Sequence, residues 1–401
     1  MNKKVFNLSN NIDVMYKKNA DTPRIALCLN FSVNETPKKA GVATLMARLL
    51  MQGTKNRTSE QLSEELDAYA IEMSTEMKLD YLKLKFLCLN EDFDKALEIF
   101  EDIIKNSTFE EFEKEKLKLA GEIEAQMDSP RAKVVDNFYK TIYANHYYGI
   151  TNTVILENLP SVTKEDVINC YHSFMNDSKK VIAVVGDFDF DSVTEKLNAR
   201  LGNLPRSKAF SHEKVKSPGK TTQQQVEIIK PDANQAHIIQ GWLVGDDYPA
   251  LSLLNIMLGA SGLSSRLFLE LREKKGLAYV VRSSYDLTKL GSNFSIYIAT
   301  EPNNIEVSLA GFKEEIEKIK NIPVAEDELN NARNNLCGKW AFSQEDNNRQ
   351  ASLYAYYAVN DLGFDYNDRM REAIKTVTPE DIKNCANKYF NDDYVVSIIK
   401  P

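Results

Sequence analysis

Hydrophobic and polar positions follow two different periods along this chain. Alternation with period two in DYLKLKFLCL, from Asp80 to Leu89, predicts a β-strand, and the apolar, β-branched runs RIALCLNFSV and VIAVVGDF predict two more. Longer segments with apolar residues three and four positions apart predict amphipathic helices. In each half of the chain the order is strands, helices, strands, more helices and a final strand. This order predicts an α+β fold, with helices packed on one face of a mostly antiparallel sheet.

The two halves of the chain repeat one another. The segment SVTKEDVINCYHSFMNDSKKV, from Ser161, aligns without a gap with TVTPEDIKNCANKYFNDDYVV, from Thr376, at an offset of 215 residues. In each copy a threonine, Thr163 or Thr378, precedes a helical pattern with acidic residues in its first turn, which predicts an N-capped helix followed by a strand. A repeat of about half the chain predicts two homologous domains rather than a solenoid.

Composition suggests where these domains meet. Residues 206–225 are polar, contain Pro, Gly and Ser, and show no apolar periodicity, so they are expected to form a linker. The prediction is therefore an N-terminal domain at residues 1–205 and a homologous C-terminal domain at residues 226–401, which suits a chain too long for one hydrophobic core.

Composition and charge also argue against several classes of protein. No apolar run approaches the roughly 20 residues that cross a bilayer, and the first residues lack the apolar stretch of a secretory signal. The net charge is −8, with acidic and basic residues interspersed, which argues against a nucleic-acid partner. Five separated cysteines without a C-x-x-C pair predict reduced thiols. We therefore expect a cytoplasmic protein that binds neither membrane nor nucleic acid.

One predicted helix near the N-terminus carries the most informative residues. In GVATLMARLLMQGT, which begins at Gly41, apolar residues form one stripe, while Thr44, Ala47 and Arg48 share another face. This segment and the following KNRTSEQLSEELDAYAIEMSTEM resemble the pitrilysin and insulinase family of zinc metallopeptidases. In that family the same helix carries the inverted signature H-x-x-E-H before a Gly-Thr turn, with two histidines on zinc and a glutamate that activates water. The three corresponding positions here are Thr44, Ala47 and Arg48, so the resemblance implies a member without these groups.

The resemblance also bears on the metal. The family's third zinc ligand, a glutamate on a later helix, corresponds to Glu122. Threonine is a poor ligand, alanine cannot act as a base and a guanidinium repels a cation, so we expect no zinc and no other cofactor. We expect an ion pair between Arg48 and Glu122 instead. No alternative helical histidine pair exists, since none of the four histidines lies within five residues of another: His146, His172, His212 and His237.

The second half of the chain resembles the C-terminal domain of the same family. The segment QAHIIQGWLVGDDYPALSLLNIMLGASGLSSRLFLELREKKGLAYVVRSSY carries this likeness. In the family an arginine and a tyrosine seven residues apart contact substrate, and the corresponding residues here are Arg272 and Tyr279. Arginine can hold a carbonyl or carboxylate through its planar fork, and a tyrosine hydroxyl can donate to an oxyanion. On the residues alone, Arg272 is an exposed helix charge beside Glu270 and Glu273, and Tyr279 is the core of a strand.

The function implied by the resemblance is that of a catalytically silent subunit. Family members that lack H-x-x-E-H but keep the arginine and tyrosine resemble the non-catalytic half of a heterodimeric zinc peptidase. The expected partners are a homologous subunit with an intact H-x-x-E-H helix and a peptide substrate, and the chain is expected to be inactive alone. Two alternatives remain open: a standalone peptide-binding or structural homodimer without proteolytic activity, and an enzyme of a different mechanism.

Overall fold

Two β-sheets organise the chain. The computed structural model describes residues 3–36, 38–210, 217–219, 222–245 and 247–401. The first sheet has the strand order β1-β2-β6-β3-β5-β4 and the second β7-β11-β8-β10-β9. Neighbouring strands are antiparallel except for the pairs β2-β6 and β7-β11. The strands are β1 (Lys3–Asn7), β2 (Asp13–Lys18), β3 (Arg24–Ser32), β4 (Glu72–Met77), β5 (Tyr81–Leu89), β6 (Lys180–Gly186), β7 (Gln224–Ile229), β8 (Ala236–Val244), β9 (Ala278–Asp286), β10 (Ser292–Thr300) and β11 (Val395–Lys400).

Helices fill most of the remaining sequence. They are α1 (Val42–Leu49), α2 (Ser59–Ala68), α3 (Phe93–Asn106), α4 (Phe112–Met127), α5 (Pro130–Ile142), α6 (Asn152–Asn158), α7 (Lys164–Asp177), α8 (Phe190–Leu201), α9 (Tyr248–Asn255), α10 (Ile305–Asn321), α11 (Glu326–Ser343), α12 (Asn347–Val359), α13 (Tyr366–Thr376) and α14 (Pro379–Tyr389). Two further segments, Ile256–Ala260 and Phe268–Lys274, are π-helical. The α+β class and the mostly antiparallel sheets predicted from the sequence are confirmed. Within the described ranges, no helix is both long and apolar enough to span a bilayer.

The repeated segments form the same structure in both copies. The Thr163 hydroxyl accepts the N–H of Asp166 at 3.2 Å, and the Asp166 carboxylate accepts the N–H of Thr163 at 2.9 Å, which is a capping box at the start of α7. Thr378 and Asp381 form the equivalent box at α14, with distances of 3.2 and 2.8 Å. Each helix is followed by a buried strand, β6 or β11. The N-caps and strands predicted for the repeat are therefore confirmed.

Contacts divide the chain into two compact units that interleave in sequence. The first consists of Met1–Glu122, Val154–Lys216 and Phe342–Tyr366, and the second of Ile123–Thr153, Ser217–Ala341 and Asn367–Pro401. The predicted boundaries, residues 1–205 and 226–401, describe the two halves of the sequence repeat and stay a prediction. Of that linker, residues 206–210, 217–219 and 222–223 have no helix or strand, residues 224–225 begin β7, and residues 211–216 and 220–221 lie outside the described residues.

In the first unit, helices cover both faces of the sheet. The Phe86 ring of β5 meets Phe100 of α3 edge-on, with ring centroids 5.2 Å apart, on the face of the main helical layer. The opposite face of the central strands packs against α12, which contributes small and aromatic side chains. This cluster includes Met15, Ala26, Cys28, Val181, Ala183, Val185, Ala351, Tyr354, Ala355, Ala358 and Val359. The predicted helices on one face of the sheet correspond to the main helical layer. Helix α12, which comes from the second half of the sequence, covers the other face.

In the second unit, α5 takes the equivalent place. Asn137 Nδ2 donates to Ser397 Oγ on β11 at 3.0 Å, and Ser397 Oγ donates to the Val134 carbonyl at 3.1 Å. The Phe138 ring lies against Gly241 of β8, where an added Cβ would be only 2.5 Å from the ring. Only glycine fits at that position. The helices α5 and α12 occupy equivalent positions of the repeat. Helix α5 comes from the first half of the sequence but belongs to the second unit, and α12 comes from the second half but belongs to the first unit.

This exchange makes a prediction about fragments. A fragment of residues 1–205 lacks α12, so Ala26, Cys28 and their neighbours on β6 lose their cover. We expect this fragment alone to aggregate or to lose cooperative unfolding, because a buried sheet face is exposed to water. Co-expression with residues 206–401 should restore a soluble complex, measured by size-exclusion chromatography and near-UV circular dichroism.

The control is the full chain cut once within residues 206–210, where the backbone has no helix or strand. Its two fragments should copurify as one particle. A monomeric 1–205 fragment that unfolds cooperatively would contradict the assignment of α12 to the first unit.

Candidate functional site

Helix α1 presents the three signature positions in different environments. Thr44 is half-buried, Ala47 is buried, and the side chain of Arg48 is 25% exposed. The Ala47 carbonyl accepts a hydrogen bond from Thr75 Oγ1 of β4 at 2.5 Å. The face that carries these residues is therefore partly covered by β4, although the sequence pattern placed it away from the apolar stripe.

The Arg48 guanidinium binds two carboxylates of α4. Its Nη1 and Nη2 donate to Oε2 and Oε1 of Glu122 at 2.8 and 3.0 Å, which is a bidentate pair. Its Nε donates to Oε2 of Glu115 at 3.1 Å. The hydrogen bond from Arg48 is the main cause that lowers the pKa of Glu122. The ion pair between Arg48 and Glu122 expected from the sequence is thus present.

A second carboxylate at this site, that of Glu115, was not expected from the sequence. This residue lies seven positions before Glu122 on α4, so the two side chains share one helix face, two turns apart. The Glu115 side chain is only 3% exposed, whereas that of Glu122 is 50% exposed. The i, i+7 spacing of two glutamates was a usable signal, and the buried member depends on Arg48 for its nearest positive charge at 3.1 Å.

These residues do not fit a zinc ion. Both carboxylate oxygens of Glu122 are bound to Arg48, and a guanidinium in this place repels a cation. Ala47 offers no donor atom in its side chain. Across the described residues, no group of three or more His, Cys, Asp and Glu side chains is arranged to hold a metal ion. His212 lies outside the described residues.

Arg272 and Tyr279 lie together on the second unit. The Arg272 guanidinium carbon is 4.7 Å from the centroid of the Phe268 ring and 4.8 Å from that of Tyr279. Arg272 Nη1 also donates to the Tyr279 carbonyl at 2.7 Å. The Tyr279 side chain is 77% exposed, so the alternative that it forms strand core is wrong. Glu270, which lies beside Arg272 in the sequence, pairs with Lys274 at 2.5 Å.

Strand β9, which carries Tyr279, is an outer strand of its sheet. Among the described strands it pairs only with β10, and its other edge is unpaired. The register shifts between Ala299 and Thr300, so the backbone is irregular opposite Tyr279. An extended peptide could pair with such an edge through backbone hydrogen bonds.

The geometry predicts that Arg48 stabilises the fold by compensating a buried charge. Arg48→Ala should lower the free energy of unfolding by about 3 kcal/mol, because Glu115 is then left buried without its nearest partner. Adding Glu115→Gln should recover part of this loss, measured by urea denaturation. Lys118→Ala is the control, since this exposed lysine lies 3.7 Å from Glu115 and its loss should cost less than about 1 kcal/mol. Equal effects of Arg48→Ala and Lys118→Ala would count against this role.

The same geometry predicts how a metal site could be rebuilt. The double variant Thr44→His/Arg48→His removes the guanidinium and places two imidazoles four residues apart on one helix face, next to Glu122. We expect this variant to retain about one zinc ion per chain after dialysis, as measured by elemental analysis, and the natural chain to retain none. Adding Glu122→Gln to the double variant is the control and should weaken binding. Equal zinc contents of the natural chain and the double variant would refute the prediction.

Comparisons with known proteins identify the family of this chain. Residues 13–153 match the family profile described as insulinase (peptidase family M16), and residues 161–336 match the profile described as peptidase M16 inactive domain. An uncharacterized zinc protease of Rickettsia felis is 29% identical over 92% of this chain and 89% of its own length. The second match, together with the missing signature on α1, supports a family member that lacks catalytic activity.

Solved structures share the fold along the whole chain. A protease from Helicobacter pylori superimposes with a TM-score of 0.92 at 22% identity, covering 100% of this chain and 99% of that one. A peptidase M16 inactive domain from Pseudomonas fluorescens gives a TM-score of 0.89 at 22% identity, covering 100% and 98%. The two family profiles, however, carry the assignment, because together they match well over half of the sequence. The resemblance seen in the sequence is confirmed, and this chain belongs to the insulinase family of peptidases, M16.

Proposed function

We propose that this chain is the non-catalytic subunit of a heterodimeric zinc metallopeptidase. In this role it supplies substrate-binding and oxyanion-stabilising groups in the cytoplasm, and a homologous subunit with an intact H-x-x-E-H helix carries out peptide hydrolysis. The observation that carries the proposal is a contrast within one chain. The Arg272–Tyr279 pair is formed, with Tyr279 exposed and Arg272 half-buried, whereas Arg48 at the signature on α1 is committed to an ion pair.

The chemistry of Arg272 and Tyr279 suits a peptide carbonyl. Of the five N–H groups of the Arg272 guanidinium, one donates to the Tyr279 carbonyl in the described part of the chain, and the rings of Phe268 and Tyr279 hold the plane of the guanidinium in place. The Tyr279 hydroxyl has no hydrogen-bond partner among the described residues. Both side chains can therefore donate to an oxyanion without breaking an existing contact, which is the condition for preorganised stabilisation.

A substrate-binding subunit also needs affinity for an extended peptide, and the unpaired edge of β9 can provide it. A peptide paired with this edge would place its backbone beside Tyr279, and main-chain hydrogen bonds would hold it with little dependence on its sequence. Binding energy from these contacts can position the scissile carbonyl against groups that a second polypeptide provides.

The same features also favour a second candidate function. An exposed strand edge with an unoccupied arginine and tyrosine is sufficient for peptide binding without any partner, so the chain would then be a standalone peptide-binding or structural homodimer. The two functions differ in one measurable respect, which is whether a catalytic partner gains activity from this chain.

The proposal predicts activity that depends on mixing. An H-x-x-E-H homologue from the same genome should cleave a quenched fluorescent peptide when this chain is added, while the chain alone should not. Tyr279→Phe and Arg272→Ala should each reduce kcat/KM of the mixture by about a hundredfold, because each removes a donor to the developing oxyanion. The measurement is the initial rate of peptide cleavage at fixed subunit concentrations.

Lys274→Ala is the matched control, because this exposed lysine pairs with Glu270 on the same segment and does not contact Tyr279. It should leave the rate unchanged. If the mixture is inactive while the isolated chain binds peptides tightly, the standalone function replaces the heterodimer. Chelator-sensitive cleavage by the isolated chain would refute both.

A further inference from the structure

Two arginines of the second unit converge on one aromatic ring. Arg131 lies in the first turn of α5, and Arg282 lies near the middle of β9. Their guanidinium carbons are 5.5 and 5.6 Å from the centroid of the Tyr297 ring on β10. The Tyr297 hydroxyl is fixed by His237 Nδ1 of β8 at 2.8 Å. The ring is thus a buried, anchored platform beside two positive charges.

Neither guanidinium has a counter-ion among the residues that the structure describes. Within the described ranges, no hydrogen bond links either guanidinium to another group and no carboxylate lies within 4.0 Å, although the chain has 58 acidic residues against 50 basic. The nearest acid along β9, Asp286, is already occupied, since it accepts hydrogen bonds from the hydroxyl of Tyr139 and from Asn293 Nδ2. Both arginines are exposed and open to solvent.

The two charges act on one another. Partial desolvation of the guanidinium is the main cause that lowers the pKa of Arg282, although the residue as a whole is exposed, and the positive charge of Arg131 lowers it further. Burial and then Arg131 also lower the pKa of His237, so this imidazole is neutral and adds no positive charge at pH 7. A solvent-exposed cation held over an aromatic ring gains only about 0.5–1 kcal/mol, and both guanidinium groups are open to solvent. This gain does not remove the repulsion between the two arginines, so a bound anion would relieve it.

The position of Arg282 relates this cluster to the free edge of β9. Arg282 pairs directly with Tyr297 in the antiparallel ladder, so their side chains leave the same face of the sheet. A peptide residue paired with Arg282 on the opposite edge would send its side chain to that same face. Tyr279 lies three residues away on the strand, roughly 10 Å of extended backbone, so one bound peptide can reach both.

We propose that Arg131 and Arg282 form a subsite for a carboxylate, namely an Asp or Glu side chain of a peptide bound along β9. This inference rests on the proposed peptide-binding function and adds a preference for acidic peptides to it. Two planar guanidinium forks match the two oxygens of a carboxylate, and the charge-assisted hydrogen bonds replace unfavourable like-charge contact. Neutral peptides would still pair with the strand but would leave the arginines uncompensated.

The test uses extended decapeptides that are identical except for one Glu or the isosteric Gln, with that residue moved along the sequence. Isothermal titration with the full chain should show, for the best position, about tenfold tighter binding of the Glu peptide. The ratio should fall to about one in Arg131→Gln/Arg282→Gln, whose substitutions lie on exposed side chains. Arg371→Gln, which removes the same charge from an exposed position of α13, should keep the tenfold ratio.

Failure of this inference and failure of the proposed function are separable. If Glu and Gln peptides bind the natural chain equally at every position, the subsite is refuted while peptide binding stands. If no peptide binds, the proposed function fails. Thermal unfolding with glutarate or inorganic phosphate at constant ionic strength then tests whether Arg131 and Arg282 bind a carboxylate. A glutarate-dependent rise in Tm that the double variant abolishes supports it, since specific binding stabilises the folded state. Equal shifts in both proteins, or an effect of phosphate alone, refute it.

Discussion

The ion pair between Arg48 and the two glutamates of α4 determines what this chain can do. It fills the position that corresponds to a metal centre with a cation that is part of the protein, and it uses both oxygens of Glu122 and one of Glu115. A buried carboxylate is stable only when its charge is compensated. The guanidinium thus provides internally, and without any exchangeable ligand, the compensation that a divalent ion provides elsewhere. With Thr44, Ala47 and Arg48 in these places, the signature positions of α1 offer no histidine ligand for zinc and no carboxylate base.

Three arginines of the second unit show the opposite pattern, because no carboxylate of the described residues lies within 4.0 Å of them, whereas Arg266 of the same unit is paired with Glu328. Arg272 contacts rings and a carbonyl, and Arg131 and Arg282 share the ring of Tyr297. Exposed positive groups without carboxylate partners leave hydrogen-bonding capacity for something outside the chain. The charge of Arg48 is satisfied within the chain, whereas these three arginines have no carboxylate partner among the described residues. This asymmetry is the physical basis for assigning a binding role to the chain.

Much of this arrangement was predictable from the sequence, and the remainder has identifiable causes. The capping boxes of Thr163 and Thr378 and the pairing of Arg48 with Glu122 follow from local spacing or from a motif, so they were predicted. The sequence did not predict that α5 and α12 each pack on the sheet of the other half of the chain. Helical periodicity shows that a helix has an apolar face, but it does not show which distant sheet that face covers. The exposure of the Tyr279 side chain could not be predicted either, because an aromatic residue in a predicted strand is typical of a buried core position. Glu115 was accessible to reasoning from its distance to Glu122, whereas the meeting of Arg131 and Arg282 required the tertiary structure.

The exchange of α5 and α12 has a consequence for how the chain is made. The last strand of the first sheet ends at Gly186, but the helix that covers the second face of that sheet ends at Val359. A ribosome adds roughly 5–20 residues per second, so this sheet face stays uncovered for about ten to thirty seconds of translation after its strands have emerged. During that interval the sheet face that α12 later covers is an apolar surface of the kind that makes incompletely folded chains prone to aggregate.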